Sequence, residues 1–430
     1  MTLLSLFRFL VVSSGLASFA VAAPSVVKVV PAGDGGWSLT RNGEAYELRG
    51  VGGDTQLDLL KELGGTTIRT WGIEKLDEQI EGKSLLDRCH ERGLTVMAGI
   101  WVQHERHGFN YSDPDQVNKQ RETVRAAVRK YKDHPALLIW GLGNEMEGPG
   151  AEGKDQRVWR ELEQLARLVK EEDPDHPVCT VIAGAAETKL RSLIKEYTAL
   201  DILGINAYGG AADVGRAVTA AGWTKPFILS EFGPLGHWEV GRTNWGAPIE
   251  PFSREKADRY GSILRAVMAD GQGRCLGSFV FIWGHKQETT ATWYGMFLAS
   301  GEKLPTVDAV AHAWTGKWPT NRSPLIAGLS ADFAQEEVLP GSSLAVSAEV
   351  SDPENDSLTY DWQIVAESTD RREGGDREAV PPSFPECIVK VAGSRAELVA
   401  PKRPGAYRVF LYVRDGKGGA SADNLPFLVK

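Results

Sequence analysis

Between residues 46 and 284 the chain repeats one alternation: a short, nearly continuous apolar run, then a longer stretch with apolar positions three and four apart. The apolar runs are YELRGVG (46–52), TTIRTWG (66–72), LTVMAGIWV (94–102), ALLIWGLGNE (136–145), VCTVIAG (178–184), DILGINAY (201–208), PFILSEFG (226–233) and SFVFIWG (278–284). Unbroken apolar runs mark strands buried on both faces, the condition of a parallel sheet. The intervening stretches read as amphipathic helices. Asp54 is placed to cap TQLDLLKEL (55–63), which Gly64 and Gly65 end, and Asp113-Pro114 to start a helix with Val117, Val124 and Val128 on one face. Val158, Leu162, Leu165 and Val169 repeat the pattern, and further helices are expected at 253–269 and 305–314. Eight strand–helix units in roughly 250 residues fit a (β/α)8 TIM barrel. A doubly wound open sheet is the competing architecture, but it gives no special role to an eighth strand.

The period changes after KWPTNRSPLI (317–326), a proline-containing linker. Beyond it, SLAVSAEVSD (343–352), LTYDWQIV (358–365), AELVAPK (396–402) and YRVFLYVRD (407–415) alternate in the two-residue period of strands, separated by turn residues. This is the pattern of a small all-β, immunoglobulin-like sandwich. Upstream of the barrel, WSLTRNGEAYELRG (37–50) reads as a hairpin lid beneath it. At the start of the chain, Arg8 precedes an apolar stretch ending in Ala20-Val21-Ala22, the small-x-small pattern of a cleaved signal peptide. A retained anchor is the alternative, though the run is short for a bilayer span. The expected division is a signal peptide at 1–22, a catalytic barrel at 23–322 and a sandwich at 323–430. The mature chain is then secreted or periplasmic, with no membrane span.

Composition narrows the function. The net charge is -9, and no basic cluster is present to bind a phosphate backbone, so nucleic acid is excluded as a partner. The segment 323–430 holds 11 Lys plus Arg against 17 Asp plus Glu and carries most of that charge. There Asp352, Glu354, Asp356 and Asp415 form oxygen-rich turns that suit calcium, or are solvated turn carboxylates. Four cysteines (Cys89, Cys179, Cys275, Cys387) lack CxxC spacing and read as small buried hydrophobes. Thirteen tryptophans are many for this length. Trp71, Trp101, Trp238, Trp245, Trp283 and Trp293 lie near strand ends or in loops, either as core or as platforms for sugar rings.

A barrel places its catalytic residues where strands end. Glu145 ends the fourth apolar run and Glu231 the seventh, each before a glycine-containing loop. A carboxylate beside a buried run is costly unless paired, so these are either a catalytic couple or two structural ion pairs. His104 and His107 flank Glu105 but depart from HExxH and lack an evident third ligand, so no metal centre and no cofactor is expected.

The segment DHPALLIWGLGNEMEG (133–148) resembles the acid/base strand of clan A retaining glycoside hydrolases, most closely the family 2 barrel. KPFILSEFG (225–233) resembles that clan's nucleophile strand. The resemblance covers the whole barrel. It implies that Glu145 is the acid/base and Glu231 the nucleophile of a β-glycoside hydrolase acting on β-linked oligo- or polysaccharide. It also implies that Arg69 keeps the nucleophile ionised and Asn144 bonds the sugar 2-hydroxyl. Tyr208 would donate to the nucleophile, and Trp283 would form the floor under the reacting ring. His104, His107, His237, His285 and Lys286 fall in the expected mouth loops, and the loop 233–252, with Trp238 and Trp245, is where specificity is expected. Family 2 enzymes carry sandwiches before the barrel, whereas here one follows it. ELRGVGG (47–53) and LLKELGGTTIRTWGI (59–73) also resemble the β-1,3-glucanosyltransferases of family 72, which keeps transglycosylation on the same site as an alternative. A catalytically silent carbohydrate-binding barrel is the other alternative. The C-terminal segments VSDPENDSLTYDW and GAYRVFLYVRDGKGGAS resemble PKD-type or cadherin-like modules of secreted enzymes.

Overall fold

The eight apolar runs close into one parallel barrel in a computed structural model that describes residues 23–33, 35–147, 155–270, 273–372 and 375–430. The signal-peptide reading of residues 1–22 lies outside the described residues, as does Gly148 after the fourth run. The chain begins with a three-stranded antiparallel sheet, β1 (Val27–Pro31), β2 (Trp37–Arg41) and β3 (Glu44–Ala45). Asn42 and Gly43 turn β2 into β3 with φ of 53° and 85°, the positive angles of a tight hairpin. Val27, Leu39 and Tyr46 pack under the barrel against Leu48, Met97 and Ile139, plugging the end where its strands start. The Tyr46 hydroxyl meets the Thr66 carbonyl (2.9 Å) and Thr95 Oγ1 (2.9 Å), so its polar tip is satisfied there.

The barrel strands are β4 (Leu48–Gly52), β5 (Thr67–Arg69), β6 (Thr95–Ile100), β7 (Leu137–Asn144), β8 (Val178–Ala183), β9 (Ile202–Asn206), β10 (Phe227–Phe232) and β11 (Cys275–Val280). β11 pairs with β4 and closes the ring, so the closed barrel is correct and the open sheet is not. Helices α1 (Leu57–Glu62), α2 (Leu85–Glu91), α3 (Pro114–Tyr131), α4 (Gln156–Glu172), α5 (Glu187–Glu196), α6 (Val214–Ala220), α7 (Ser253–Asp270) and α8 (Pro305–Thr315) surround it. Val117, Val124 and Val128 of α3 and Val158, Leu162, Leu165 and Val169 of α4 are buried, as their spacing requires. Asp113 caps α3, accepting from the backbone N–H groups of Asp115 (2.9 Å) and Gln116 (3.3 Å). Asp54 does not cap α1. That helix starts later, with Gln56 in the left-handed region at its N-cap, and Asp54 instead faces Lys75 at 3.6 Å.

A sandwich follows, built from β12 (Leu325–Ser330), β13 (Glu337–Val338), β14 (Ser343–Ser351), β15 (Thr359–Ala366), β16 (Ile388–Ala392), β17 (Arg395–Val399), β18 (Gly405–Arg414) and β19 (Ala420–Val429). Its sheets run β12-β14-β17-β16 and β13-β19-β18-β15, and Trp362, Tyr407, Val409 and Phe427 fill its core. The sandwich is joined to the barrel by buried polar contacts. Asp423 accepts from the Ser253 N–H at the start of α7 (2.6 Å). Buried Arg408 pairs bidentately with Glu367 (2.6 and 3.1 Å) and donates to the Pro248 carbonyl (2.6 Å). Asn424 bridges Arg408 (2.7 Å) to Glu250 (2.7 Å), and Glu250 in turn meets Lys256, Thr290 and Thr292.

Asp352, Asp356 and Asp415 bring carboxylate oxygens within 4.8 Å of one another, whereas Glu354 turns away to Arg322 (2.8 Å). Asp415 accepts from Asn321 and two backbone N–H groups and Asp356 accepts from Lys417, while Asp352 Oδ2 and Asp356 Oδ2 are buried without a hydrogen-bond partner among the described residues. The four cysteines are buried and unpaired. Among the described residues, no helix is long and apolar enough to cross a membrane.

Candidate active site

The open end of the barrel holds a cavity of about 980 Å³, and Glu145 and Glu231 both line it. The backbone carries each acid there differently. β7 is buried along its length until Asn144, then turns sharply: Gly143 has φ 75° and Glu145 itself φ 51°. A side chain in the left-handed region costs about 1 kcal/mol or more, and such strain is commonly held at functional positions. The Glu145 N–H donates to the Val181 carbonyl (2.9 Å), which fixes that turn against β8. Glu231 by contrast sits within β10, buried on every side, and faces inward.

The two carboxyl groups have opposite surroundings. Glu231 Oε1 accepts from Arg69 (2.8 Å) and the Trp71 indole (2.8 Å), and its Oε2 accepts from the Tyr208 hydroxyl (3.1 Å). Arg69 is itself only 2% exposed. It also donates to the Ser230 carbonyl (2.8 Å) and to Asn144 Oδ1 (2.6 Å), so one guanidinium spans β5, β7 and β10. Burial pushes the Tyr208 phenol well up, and the Glu231 charge adds to that push, so Tyr208 stays a donor.

Among the described residues, none forms an ion pair with Glu145. Burial and then the Glu231 charge push its carboxyl up to about 7, opposed by a hydrogen bond from Asn206 Nδ2 (2.8 Å). Asn206 also donates to Asn144 Oδ1 (3.1 Å) and accepts from Ser230 (2.9 Å), tying the ends of β7, β9 and β10 together. Glu145 thus holds its proton to higher pH than a free carboxyl group does, beside a Glu231 paired with Arg69.

Arg69, Asn144, Tyr208, Glu145 and Glu231 therefore converge. Trp283 does not. It is 1% exposed, packs on Phe297 at 4.9 Å outside the cavity, and leaves Phe281 and Ile282 as the lining residues. The cause is the position of the eighth strand, which ends at Val280, so Trp283 lies past the mouth. Trp71, Trp101 and Trp238 line the cavity, whereas Trp293 is buried and Trp245 does not reach it. Of the mouth-loop residues, His237 and Lys286 line the cavity. His104 instead stacks on Trp101 (4.9 Å), and burial pushes it down to about 4, so its ring stays neutral. His107 and His285 do not line it.

Asn206 escaped the sequence reading, and Trp71, read there as core or as a platform for sugar rings, donates to Glu231; the signal for both was position at or just past a barrel strand's end.

Residues 78–241, which contain both glutamates, match the family model described as glycosyl hydrolases family 2, TIM barrel domain. The chain is 24% identical over 199 residues to a β-glucuronidase of Streptococcus agalactiae, covering 41% of this chain and 32% of that protein. It is 23% identical over 315 residues to a β-galactosidase of Yersinia pseudotuberculosis, covering 70% of this chain and 26% of that one. The chain thus spans a third or less of the length of these relatives. Among solved structures, Bacteroides uniformis β-glucuronidase 2, covalently bound to cyclophellitol-6-carboxylate aziridine, aligns with a TM-score of 0.51 and 16% identity over 94% of this chain and 48% of that one. The GH2 β-galacturonidase from Eisenbergiella tayi bound to galacturonate aligns with a TM-score of 0.50 and 16% identity, over 68% and 54%. Over residues 78–241 the chain is similar in sequence to the TIM-barrel domain of family 2 glycosyl hydrolases, and the fold around that stretch is a TIM barrel.

Proposed function

We propose that this chain is an exported, retaining β-glycoside hydrolase that works by double displacement, with Glu231 as nucleophile and Glu145 as acid/base. The observation that carries this reading is the contrast between the two carboxyl groups of one cavity. Glu231 accepts three hydrogen bonds, one from a buried guanidinium, while Glu145 is pushed up to about 7. A retaining enzyme needs one ionised and one protonated carboxyl group.

In the first half, a Glu231 oxygen attacks the anomeric carbon as the glycosidic bond breaks, and the Glu145 proton passes to the departing oxygen. In the second, Glu145, now a carboxylate, takes a proton from water, and the hydroxide formed displaces Glu231. Asn144, oriented by Arg69 and Asn206, is placed to bond the hydroxyl beside the reacting carbon, a contact that strengthens in the transition state. No step draws on a group beyond these residues. A sugar acceptor in place of water turns the same intermediate to transglycosylation.

The test is a panel of β-glycosides with the wild type and Glu231→Ala. Hydrolysis by the wild type, its loss in the variant, and recovery with azide to give an α-glycosyl azide are expected. Full activity in the variant, or azide product of β configuration, contradicts the assignment.

A further inference from the structure

The sandwich reaches into the cavity. Between β15 and β16 its chain crosses to the barrel mouth, where Arg372, Gly375 and Asp376 become lining residues. Glu378, 3% exposed, anchors that crossing by accepting from the Thr289 N–H (2.6 Å) and the Arg372 N–H (3.3 Å). Lys286, on the segment after β11, donates to the Gly375 carbonyl (2.9 Å) and pairs with Glu288 (3.0 Å).

These contacts determine what charge the completed cavity presents. Beyond the two glutamates its lining holds Asp213, Glu239, Glu288 and Asp376, while Lys286 and Arg372 are the only Lys or Arg among its described lining residues. Both already have partners. Lys286 is held by Glu288 and the sandwich backbone, and Arg372 pairs through its Nε with Asp370 (2.6 Å). His237 does not supply a third, because burial pushes its imidazole down to about 4. Arg69 is spent on Glu231, Ser230 and Asn144. A carboxylate entering here meets an excess of like charge among the described lining residues, and burying a charge against like charge is costly. Hydroxyl groups meet no such cost, since carboxylates and carbonyls accept from them.

We infer that the cavity selects neutral β-glycosides over uronides, and that the sandwich enforces this by tying up Lys286 and closing the wall with Asp376. This rests on the hydrolase reading above and departs from the uronide-cleaving names among its structural neighbours.

The experiment compares kcat/KM on matched 4-nitrophenyl pairs that differ only at C6: β-D-glucoside against β-D-glucuronide, and β-D-galactoside against β-D-galacturonide. The neutral member of the cleaved pair is expected to win by more than about tenfold, the scale of one unsatisfied buried polar group. Equal or faster cleavage of the uronide overturns the inference and leaves the hydrolase reading standing. Failure on both members of every pair and on the wider β-glycoside panel contradicts the hydrolase reading itself. Glu288→Gln, which loosens the hold on Lys286, is expected to narrow the preference by about threefold or more. An unchanged ratio in that variant removes Lys286 from the explanation.

Discussion

At the scale of single residues, the chemistry rests on placing two like carboxyl groups in unlike surroundings. In the proposed mechanism the Glu145 proton is the one transferred, so kcat/KM should fall as pH rises through about 7, where Glu145 loses it. Glu145→Gln should abolish that basic limb and lower kcat/KM by roughly 10²–10⁴ on substrates with poor leaving groups. Asn206 supplies a separate check. Its hydrogen bond favours the charged form of Glu145 and pulls the carboxyl down. Asn206→Ala should therefore move the basic limb to higher pH, as a pH–rate profile would show. An Asn206 that merely shaped the backbone would leave the limb in place.

At the scale of elements, the barrel strands carry these residues with little freedom. Gly99 of β6 lies against the chain leaving β5, where an added Cβ would come within 2.2 Å of the Thr70 carbonyl oxygen. Gly99→Ala should cost about 1–3 kcal/mol in urea unfolding. It should also reduce turnover, because Trp71 follows directly and bonds Glu231. The elements were legible where physics leaves one option: ALLIWGLGN and PFILSEF are unbroken because β7 and β10 are buried on both faces. Arg69 and Tyr208 were legible through the same strand-end rule, joined to a family resemblance. Boundaries were less so. β11 begins at Cys275, three residues before the apolar run was read to start, and that offset carried Trp283 from the expected floor into the core. Asn206 was passed over because an asparagine after an apolar run reads equally well as a turn, and its partner lies on another strand. The start of α1 was misread because Asp54 faces Lys75 across the loop, a tertiary contact that local spacing does not encode.

At the scale of the whole molecule, the sandwich and barrel share a buried polar seam. Removing Arg408 would leave Glu367 with Arg371 as its remaining cation and uncouple Asn424 from Pro248, so Arg408→Ala should destabilise by about 1–3 kcal/mol. Asp423 makes the seam pH-dependent. Burial pushes its carboxyl from an ordinary 3.8 to about 7, so the folded chain holds a proton that the unfolded chain releases. This contribution is fully present below about pH 4 and lost as pH rises through about 7. In urea melts, Asp423→Asn should gain on the wild type steadily across that window. A constant difference would place Asp423 outside the linkage. The acid-rich sandwich pattern was visible in the sequence, but its reach into the cavity was not, since Gly375 and Glu378 meet residues nearly ninety positions away.

The covalent step is the point on which the rest depends. Incubation with activated 2-deoxy-2-fluoro-β-glycosides, followed by mass spectrometry of the intact chain and its peptides, reads that step directly. A single glycosyl adduct on Glu231, formed in the wild type and lost in Glu231→Ala, is the expected result. An adduct on Glu145, or turnover of the same sugars to an inverted product with no adduct, would contradict it.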